Sequence, residues 1–490
     1  SGKASPSPTD SLCLNLRNVN LDYIFQTLAI NQVNIGGDAT GIFYARNLFS
    51  KQPIAYTPLL KVKGISYNGA VFGDADLVAH WDNDLGAVHI DAEIFQPGIK
   101  DSYINCEIYP IKEALDLRFD VTKIDASFLE PFVSTFASNV SGKASGKARL
   151  FGSFKNINLE GDVFAEDLKL HIDYTNVTYS TTDSVHFRPG LIKMNDITLY
   201  DPSGNTATLN GELRHDYFRD AEFEFNITNT KNFLCYDVKE SPTDTWFGHI
   251  NGNGFARIEG KPGVVNISVE MKSAPKSTFT FVISDTQNAY DYNFLTFRDK
   301  NSIGKEKTIT PIGDIPIEVT RFKEQMKKVK EESSSEFNLD IIVDVTPDAQ
   351  ITLVMDPVGG DKIKGVGNGQ LKLHYGSANE DVKMYGTYEI DKGSYNFTLQ
   401  DIIIKDFKIR DNSKISFDGD PMAAKLDISA VYPVKANLSD LDQSFLEDKS
   451  INNTNVPIDV VFDIRGIMTQ PDINYKLEFP SFANSNGDIE

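Results

Sequence analysis

Cysteine is scarce. Cys13, Cys106 and Cys235 are odd in number and far apart in a chain of 490 residues. They form no CxxC pair and no disulfide framework, and they leave the redox compartment open. The seven histidines (His80, His89, His171, His186, His215, His249, His374) never fall at HxxxH spacing, and no cysteine lies near enough in sequence to complete a zinc set. A GxSxG elbow is missing. No apolar run approaches the ~18 residues that span a bilayer, and the N-terminus lacks a basic-then-apolar signal pattern. The chain as written is therefore expected to be soluble. Positive charge is also short: 48 basic against 69 acidic residues leave a net charge of −21. A phosphate backbone or an anionic bilayer repels such a chain, which argues against nucleic acid and against peripheral membrane binding.

Two local patterns imitate ligand sites and fail on spacing. Gly142-Lys-Ala-Ser-Gly146-Lys147 is one residue short of a phosphate loop, and Ala148 stands where a magnesium-binding Ser or Thr is needed. Asp82-Asn-Asp84-Leu-Gly86 begins like a calcium loop, but the third ligand and the distal bidentate Glu are missing. It reads as a hairpin turn. N-x-[ST] sequons such as Asn176-Val-Thr178 and Asn396-Phe-Thr398 come at close to chance frequency in an Asn-rich chain. No catalytic residue, metal or cofactor is expected, and the chain is read as a non-enzyme.

What the chain does contain is alternation. At 40% hydrophobic it has a globular composition, and its length calls for two to four units or one extended architecture. Val88, Ile90, Ala92 and Ile94 interleave with His89, Asp91 and Glu93. Phe223, Phe225 and Ile227 follow the same rule, as do Phe337, Leu339, Ile341, Val343 and Val345. Period-two patterning marks strands with one apolar and one wet face. Turn formers such as Asp201-Pro-Ser-Gly204 and Asp418-Gly-Asp-Pro421 separate them. The chain is all-β.

Two segments depart from the pattern. Ser127 to Ser138 spaces Phe128, Phe132 and Phe136 four apart, with Ser127 and Glu130 at capping-box spacing, and predicts a helix. Glu318 to Ser333 places Val319, Phe322, Met326 and Val329 on one stripe, with Arg321, Lys323, Lys327, Lys328 and Lys330 on the wet side. That second helix either seals the end of a sheet or lies on a membrane. A Gly-xxx-apolar-x-Gly pattern recurs at Gly146–Gly152, Gly254–Gly260 and, with one extra residue, Gly369–Gly376. The spacing fits tandem sandwiches or a modular elongated sheet.

Residues 115–154, with a helix, then SGKASGKARLFGSF, resemble the helix–SGxxSG–strand–Gly joint of TamB-type proteins. Residues 365–480 resemble the TamB C-terminal domain through GVGNGQLKLHYG, the MYGTYEIDKGSYNFTL hairpin, the FDGDP turn and VPIDVVFDIRGIMTQPDINYKLEFP. The resemblance implies a long sheet curled into an open U (the β-taco) with an apolar interior. It also implies a periplasmic protein of a diderm bacterium, anchored in the inner membrane by an N-terminal helix and partnered with an outer-membrane barrel of the TamA/BamA type. The anchor helix is absent from this sequence, and the docking tail is missing or reduced to residues 481–490.

The implied organisation is a tag remnant or linker (1–12), an N-terminal β segment (13–117), a middle groove segment opening with the helix at 127–138 (118–317), the amphipathic helix (318–335), the C-terminal β-taco domain (336–480) and a tail (481–490). The expected lipid-facing residues are Leu339, Ile341, Val343, Val345, Leu371, Leu373, Tyr388, Ile390, Tyr395, Phe397, Leu399, Leu426, Ile428, Ile458, Val460, Phe462, Ile464, Tyr475 and Leu477. Three functions stay open. The first is a conduit for phospholipid acyl chains between inner and outer membranes. The second is a scaffold for outer-membrane protein assembly through an exposed sheet edge. The third is a passive extracellular β-array.

Overall fold

The computed structural model describes residues 11–23, 35–48, 50–67, 70–96, 99–134, 136–240, 246–282, 336–355, 360–378, 381–399, 403–437 and 455–480. Alternating side chains become strands throughout. The chain opens with β1 (Ser11–Asn20), β2 (Ile35–Arg46), β3 (Ile54–Tyr67), β4 (Ala70–Asp82) and β5 (Ala87–Gln96). It continues with β6 (Ile99–Tyr109), β7 (Ala114–Asp125), β8 (Ala137–Ser153), β9 (Asn156–Ile172) and β10 (Val177–Arg188). Then follow β11 (Leu191–Tyr200), β12 (Thr206–Asp216), β13 (Arg219–Thr228), β14 (Phe233–Val238), β15 (Trp246–Lys261), β16 (Val264–Ser273) and β17 (Ser277–Val282). After residue 335 come β18 (Glu336–Val345), β19 (Ala349–Val354), β20 (Lys362–Gly376), β21 (Asp381–Leu399), β22 (Ile403–Ile409) and β23 (Ser413–Gly419). The last are β24 (Lys425–Asn437), β25 (Asn455–Ile467) and β26 (Gln470–Glu478). All 26 belong to one hydrogen-bonded sheet. The protein is all-β.

From β1 to β13 each strand pairs antiparallel with the next, a plain meander of hairpins. Strand β15 pairs with β13 and with β17. One described junction is parallel, β17 against β19. Beyond it, β18 and β19 share β20, β21 holds both β22 and β23, and β24, β25 and β26 follow in order.

The strands are repeatedly interrupted by bulges, and one chemical device recurs at them. A residue near the register shift takes a left-handed backbone, and a side-chain oxygen on a neighbouring strand accepts an N–H that the ladder has lost. Asn18 donates to Thr40 Oγ1 at 3.0 Å, Lys123 to Ser145 Oγ at 2.8 Å, Asp167 to Thr182 Oγ1 at 2.9 Å and Asp196 to Asn210 Oδ1 at 2.8 Å. All four donors have positive φ. Thr346, in the break between β18 and β19, donates to Ser273 Oγ at 2.9 Å.

The chain divides into two compact units: residues 1–233 with 255–266, and residues 234–254 with 267–490. The first has a small buried cluster around Ala39, Val62, Ala75 and Ile94. The second has a much larger one, from Val345 through Tyr388, Tyr395, Phe407 and Leu426 to Ile464 and Met468.

Several sequence readings meet the structure here. The helix expected over 127–138 is shorter: a 3₁₀ turn at Ala126–Leu129 runs into Glu130–Val133, and β8 already starts at Ala137. Asp125, not Ser127, caps it, accepting the N–H of Ser127 at 3.0 Å. The helix expected over 318–335 lies outside the described residues, as does the tail 481–490. Strand β1 begins at Ser11, inside the stretch read as tag remnant. The phosphate-loop imitation is extended backbone within β8, its Lys143 and Lys147 paired with Asp125 at 3.1 Å and Asp120 at 2.9 Å. Asp82 closes the β4–β5 turn by accepting the N–H groups of Asp84 at 2.7 Å and Leu85 at 2.9 Å. The hydrogen bond from Leu85 is the main reason its carboxyl is held below the ordinary value. The glycine repeat falls on the long strands β8, β15 and β20. A Cβ at Gly146, Gly254 or Gly369 would collide with the carbonyl oxygen of Asp162, Glu270 or Thr387 on the adjoining strand.

Candidate functional site: the apolar sheet face

In the first unit the register builds a row that strand patterning alone does not reveal. Leu16 pairs with Gly41, then Leu60, Leu77, Ala92, Ile104, Phe119, Ala148, Gly161, Phe187, Ile192, Leu213, Phe223 and Gly260. Every member across fourteen strands is apolar or glycine. At ~4.8 Å per strand the row is about 60 Å in contour. The row beside it, on the opposite face, runs Lys61, Asp76, Glu93, Tyr103, Asp120, Lys147, Asp162, His186, Lys193, Glu212, Glu224 and Glu259. Its charges pair across strands: Lys61 with Asp76 at 3.3 Å, Lys147 with Asp120 at 2.9 Å and His186 with Asp162 at 2.7 Å. One face is wet and the other oily.

The oily row is not a sealed core. Leu60, Leu77, Ile104, Phe119, Phe187, Ile192, Leu213 and Phe223 are all only partly buried. Phe223 and Phe225 stack with centroids 5.4 Å apart, their rings filling the space above Gly260 and Gly211. Leu60, Leu77 and Ile104 pack against the cluster around Val62 and Ala75, and the strip runs on beyond it.

In the second unit the apolar face is denser. The expected lipid-facing residues share this face, but not equally. Val345, Tyr388, Ile390, Tyr395, Leu426, Ile428, Ile458 and Ile464 are fully buried. Leu339, Ile341, Val343, Leu371, Leu373, Phe397, Val460 and Phe462 are partly buried. Tyr475 (79% exposed) and Leu477 (44%) are the most open of the set. They continue the face from Phe462 and Val460 in register, but β26 is paired on one side only among the described strands, so nothing covers them there. Leu399 pairs with Ile403 in the backbone, and its side chain lies outside those described.

The buried part is packed rather than hollow. Phe462 stacks on Phe407 at 4.4 Å and meets Phe397 edge-on at 5.3 Å, while Tyr395 and Tyr432 close the cluster. Tyr395 hydroxyl donates to Asp361 Oδ2 at 3.1 Å. Burial, then the nearby Asp361 charge, raises its pKa above the ordinary phenol value; burial does the same for Tyr388. The sequence reading missed Phe407, Ile409, Ile415 and Phe417. Their signal was present as alternation with Asp406, Lys408 and Lys414, but the break at Arg410–Asn412 cuts it into pieces too short to stand out.

The outer face of β24–β26 also surprises. Val461, between Asp459 and Asp463, is fully buried although it points away from the core. Arg410 and Lys476 gather the surrounding carboxylates: Arg410 holds Glu478 at 2.6 Å and Asp459 at 3.9 Å, and Lys476 holds Asp463 at 3.5 Å.

With this geometry in view, the match to known families is decisive: residues 195–489 fit the TamB C-terminal domain. The chain belongs to the TamB family. The match begins well before residue 365, where the sequence likeness to that domain was placed, and so takes in β11 to β17 as well. TamB membership makes this a bacterial envelope protein with a role in outer-membrane assembly or lipid transport in the broad sense. No curated protein matches the chain. Among the described residues no helix is long and apolar enough to cross a membrane, and no three potential ligands cluster to hold a metal ion.

Proposed function

We propose that this TamB chain carries phospholipid acyl chains along its apolar sheet face, between inner and outer membranes, without catalysis. The observation that supports it is the fourteen-strand row from Leu16 to Gly260, apolar at every register position yet only partly covered by protein. Acyl chains gain ~0.8 kcal/mol per buried methylene, and a featureless apolar strip asks nothing of the headgroup. The periplasm is the compartment this requires, with an inner-membrane anchor and a TamA/BamA-type barrel as the proposed partners at its two ends. The purified chain should yield phospholipid on extraction and mass spectrometry. A lipid-free preparation that also fails to take up fluorescent phospholipid from vesicles sinks the reading.

A second reading has its own observation. Strand β26 presents Ile473, Tyr475 and Leu477 to solvent and is paired on one side only among the described strands, the geometry for adding a client strand in outer-membrane protein assembly. Capture of an unfolded barrel strand, lost on substituting proline into β26, tests it.

A further inference from the structure

The meander sends every second turn of the first unit to the same rim. Turns 47–53, 83–86, 110–113, 154–156, 188–190, 216–219 and 261–263 join β2–β3, β4–β5, β6–β7, β8–β9, β10–β11, β12–β13 and β15–β16. They lie about 10 Å apart, two strand spacings. They also touch: Asn83 Nδ2 donates to the Pro53 carbonyl at 3.1 Å, Phe154 N–H to the Glu113 carbonyl at 2.7 Å, and Arg219 to Asn156 Oδ1 at 3.0 Å.

Two properties of this rim contradict the chain's average. Its charged residues, with those of the flanking strand ends, are Arg46, Lys51, Lys112, Lys155, Arg188, Arg219 and Lys261 against Asp82, Asp84, Glu113 and Asp216, a basic excess in a chain of net charge −21. Lys51, Lys155 and Lys261 have no carboxylate partner among the described residues. Between these bases, large apolar side chains stand at the turn tips. Ile111 is 86% exposed, and Leu48, Leu85 and Phe218 are exposed as well. The opposite rim has the reverse charge. Its described turns carry Asp22, Asp125, Glu130, Asp173 and Asp201 against one base, Lys231.

We propose that this basic rim docks on the surface of an anionic phospholipid bilayer. Exposed apolar tips flanked by lysine and arginine suit the headgroup boundary, where the tips enter the acyl region and the bases meet phosphates. Each base near an anionic leaflet is worth about fivefold in partitioning, so three unpaired lysines suffice for measurable binding. A soluble protein partner accounts for the charge but gives no reason for exposed apolar tips on four of the seven turns, three of them consecutive. The acidic opposite rim is repelled by the same surface, which favours one orientation of the unit. This docking does not depend on lipid occupying the apolar face.

The test is flotation of the purified chain with vesicles of phosphatidylcholine alone and of phosphatidylcholine mixed with phosphatidylglycerol. Binding to the mixed vesicles should be about a hundredfold tighter and should weaken with salt. Lys51→Glu with Lys155→Glu should reduce it about tenfold or more, and Ile111→Ser several-fold, with unchanged melting because all three side chains are exposed. Phe136→Ser, on the acidic rim, is the control and should leave it unchanged. Ile111→Trp should shift its emission to the blue on mixed vesicles, and Phe136→Trp should not. Equal affinity for both vesicle types, absence of vesicle binding, or indifference to all rim substitutions overturns the proposal. Extracted lipid reports separately on the apolar face, so either idea can fail alone.

Discussion

Arg410 grips both carboxylate oxygens of Glu478, at 3.2 and 2.6 Å, across two intervening strands. Arg410 stands in the break between β22 and β23; β24 and β25 lie between that break and β26. The break makes the pairing possible, because it turns a residue out of the ladder just where the acidic patch around Val461 needs a cation. Hydrogen bonding from Arg410 is the main reason the Glu478 carboxyl sits below its ordinary value of 4.5. The pair therefore stabilises fully above the usual carboxylate range, and the contribution is lost as pH falls through the depressed folded value. Both side chains are about one-third exposed, so Arg410→Ala should cost only about 0.5–1 kcal/mol. Melting at pH 7 should show the deficit, and the gap to wild type should narrow as pH falls below the ordinary carboxylate range. A constant gap argues against the pair.

The oily row and its charged neighbour make opposite predictions one residue apart. Ile192→Asp places a carboxylate on the part-exposed apolar face and should cost roughly 1–2 kcal/mol while sharply lowering bound lipid. Lys193→Gln, pointing the other way, should change neither. Normal lipid content in folded Ile192→Asp removes this row from the path.

Phe462 and Tyr475 are register partners on one face with unlike surroundings. Phe462→Asp disrupts the stack with Phe407 and should cost roughly 3–5 kcal/mol. Tyr475→Ser should stay within about 0.5 kcal/mol. Equal melting losses would mean that the edge strand is covered in solution.

The bulge device can be tested by deleting one acceptor. Ser273→Ala leaves the half-buried Thr346 N–H without its partner and should cost about 1–2 kcal/mol. Ser145→Ala, at an exposed bulge where water can replace the hydroxyl, should cost less. Chemical denaturation of the two variants decides.

Cysteine labelling reports the same contrast. Burial, then the charges of Asp116 and Glu107, pushes the Cys106 thiol up to about 12. Iodoacetamide at pH 8 should modify exposed Cys13 and spare Cys106 until denaturant is added.

These residues also show what a sequence reader can and cannot see. Alternation in Val88–Ile94 or Phe223–Ile227 identifies strands directly, because period two is a property of one strand. The fourteen-strand row is invisible at that level. Its continuity through Gly41, Ala148 and Gly161 depends on register, which the bulges at Asn18, Lys123 and Asp196 shift one strand at a time. The helix at 127–138 was over-read because Phe136 keeps helical spacing while Asp125 sets the cap two residues early. Tyr475 takes the expected face, but its exposure was not legible, because pattern tells which face a residue takes and not whether that face is covered.

The parallel junction of β17 with β19 sets this protein apart from a simple string of hairpins. Ser273 and Thr346, which hydrogen-bond beside it, are 73 residues apart in the chain. Joining such distant segments costs ~2 kcal/mol more in loop-closure entropy than closing a five-residue turn. Hairpins on either side can find register from local contacts alone as the chain emerges. The parallel seam must wait for both of its flanks, and folding speed should be governed there.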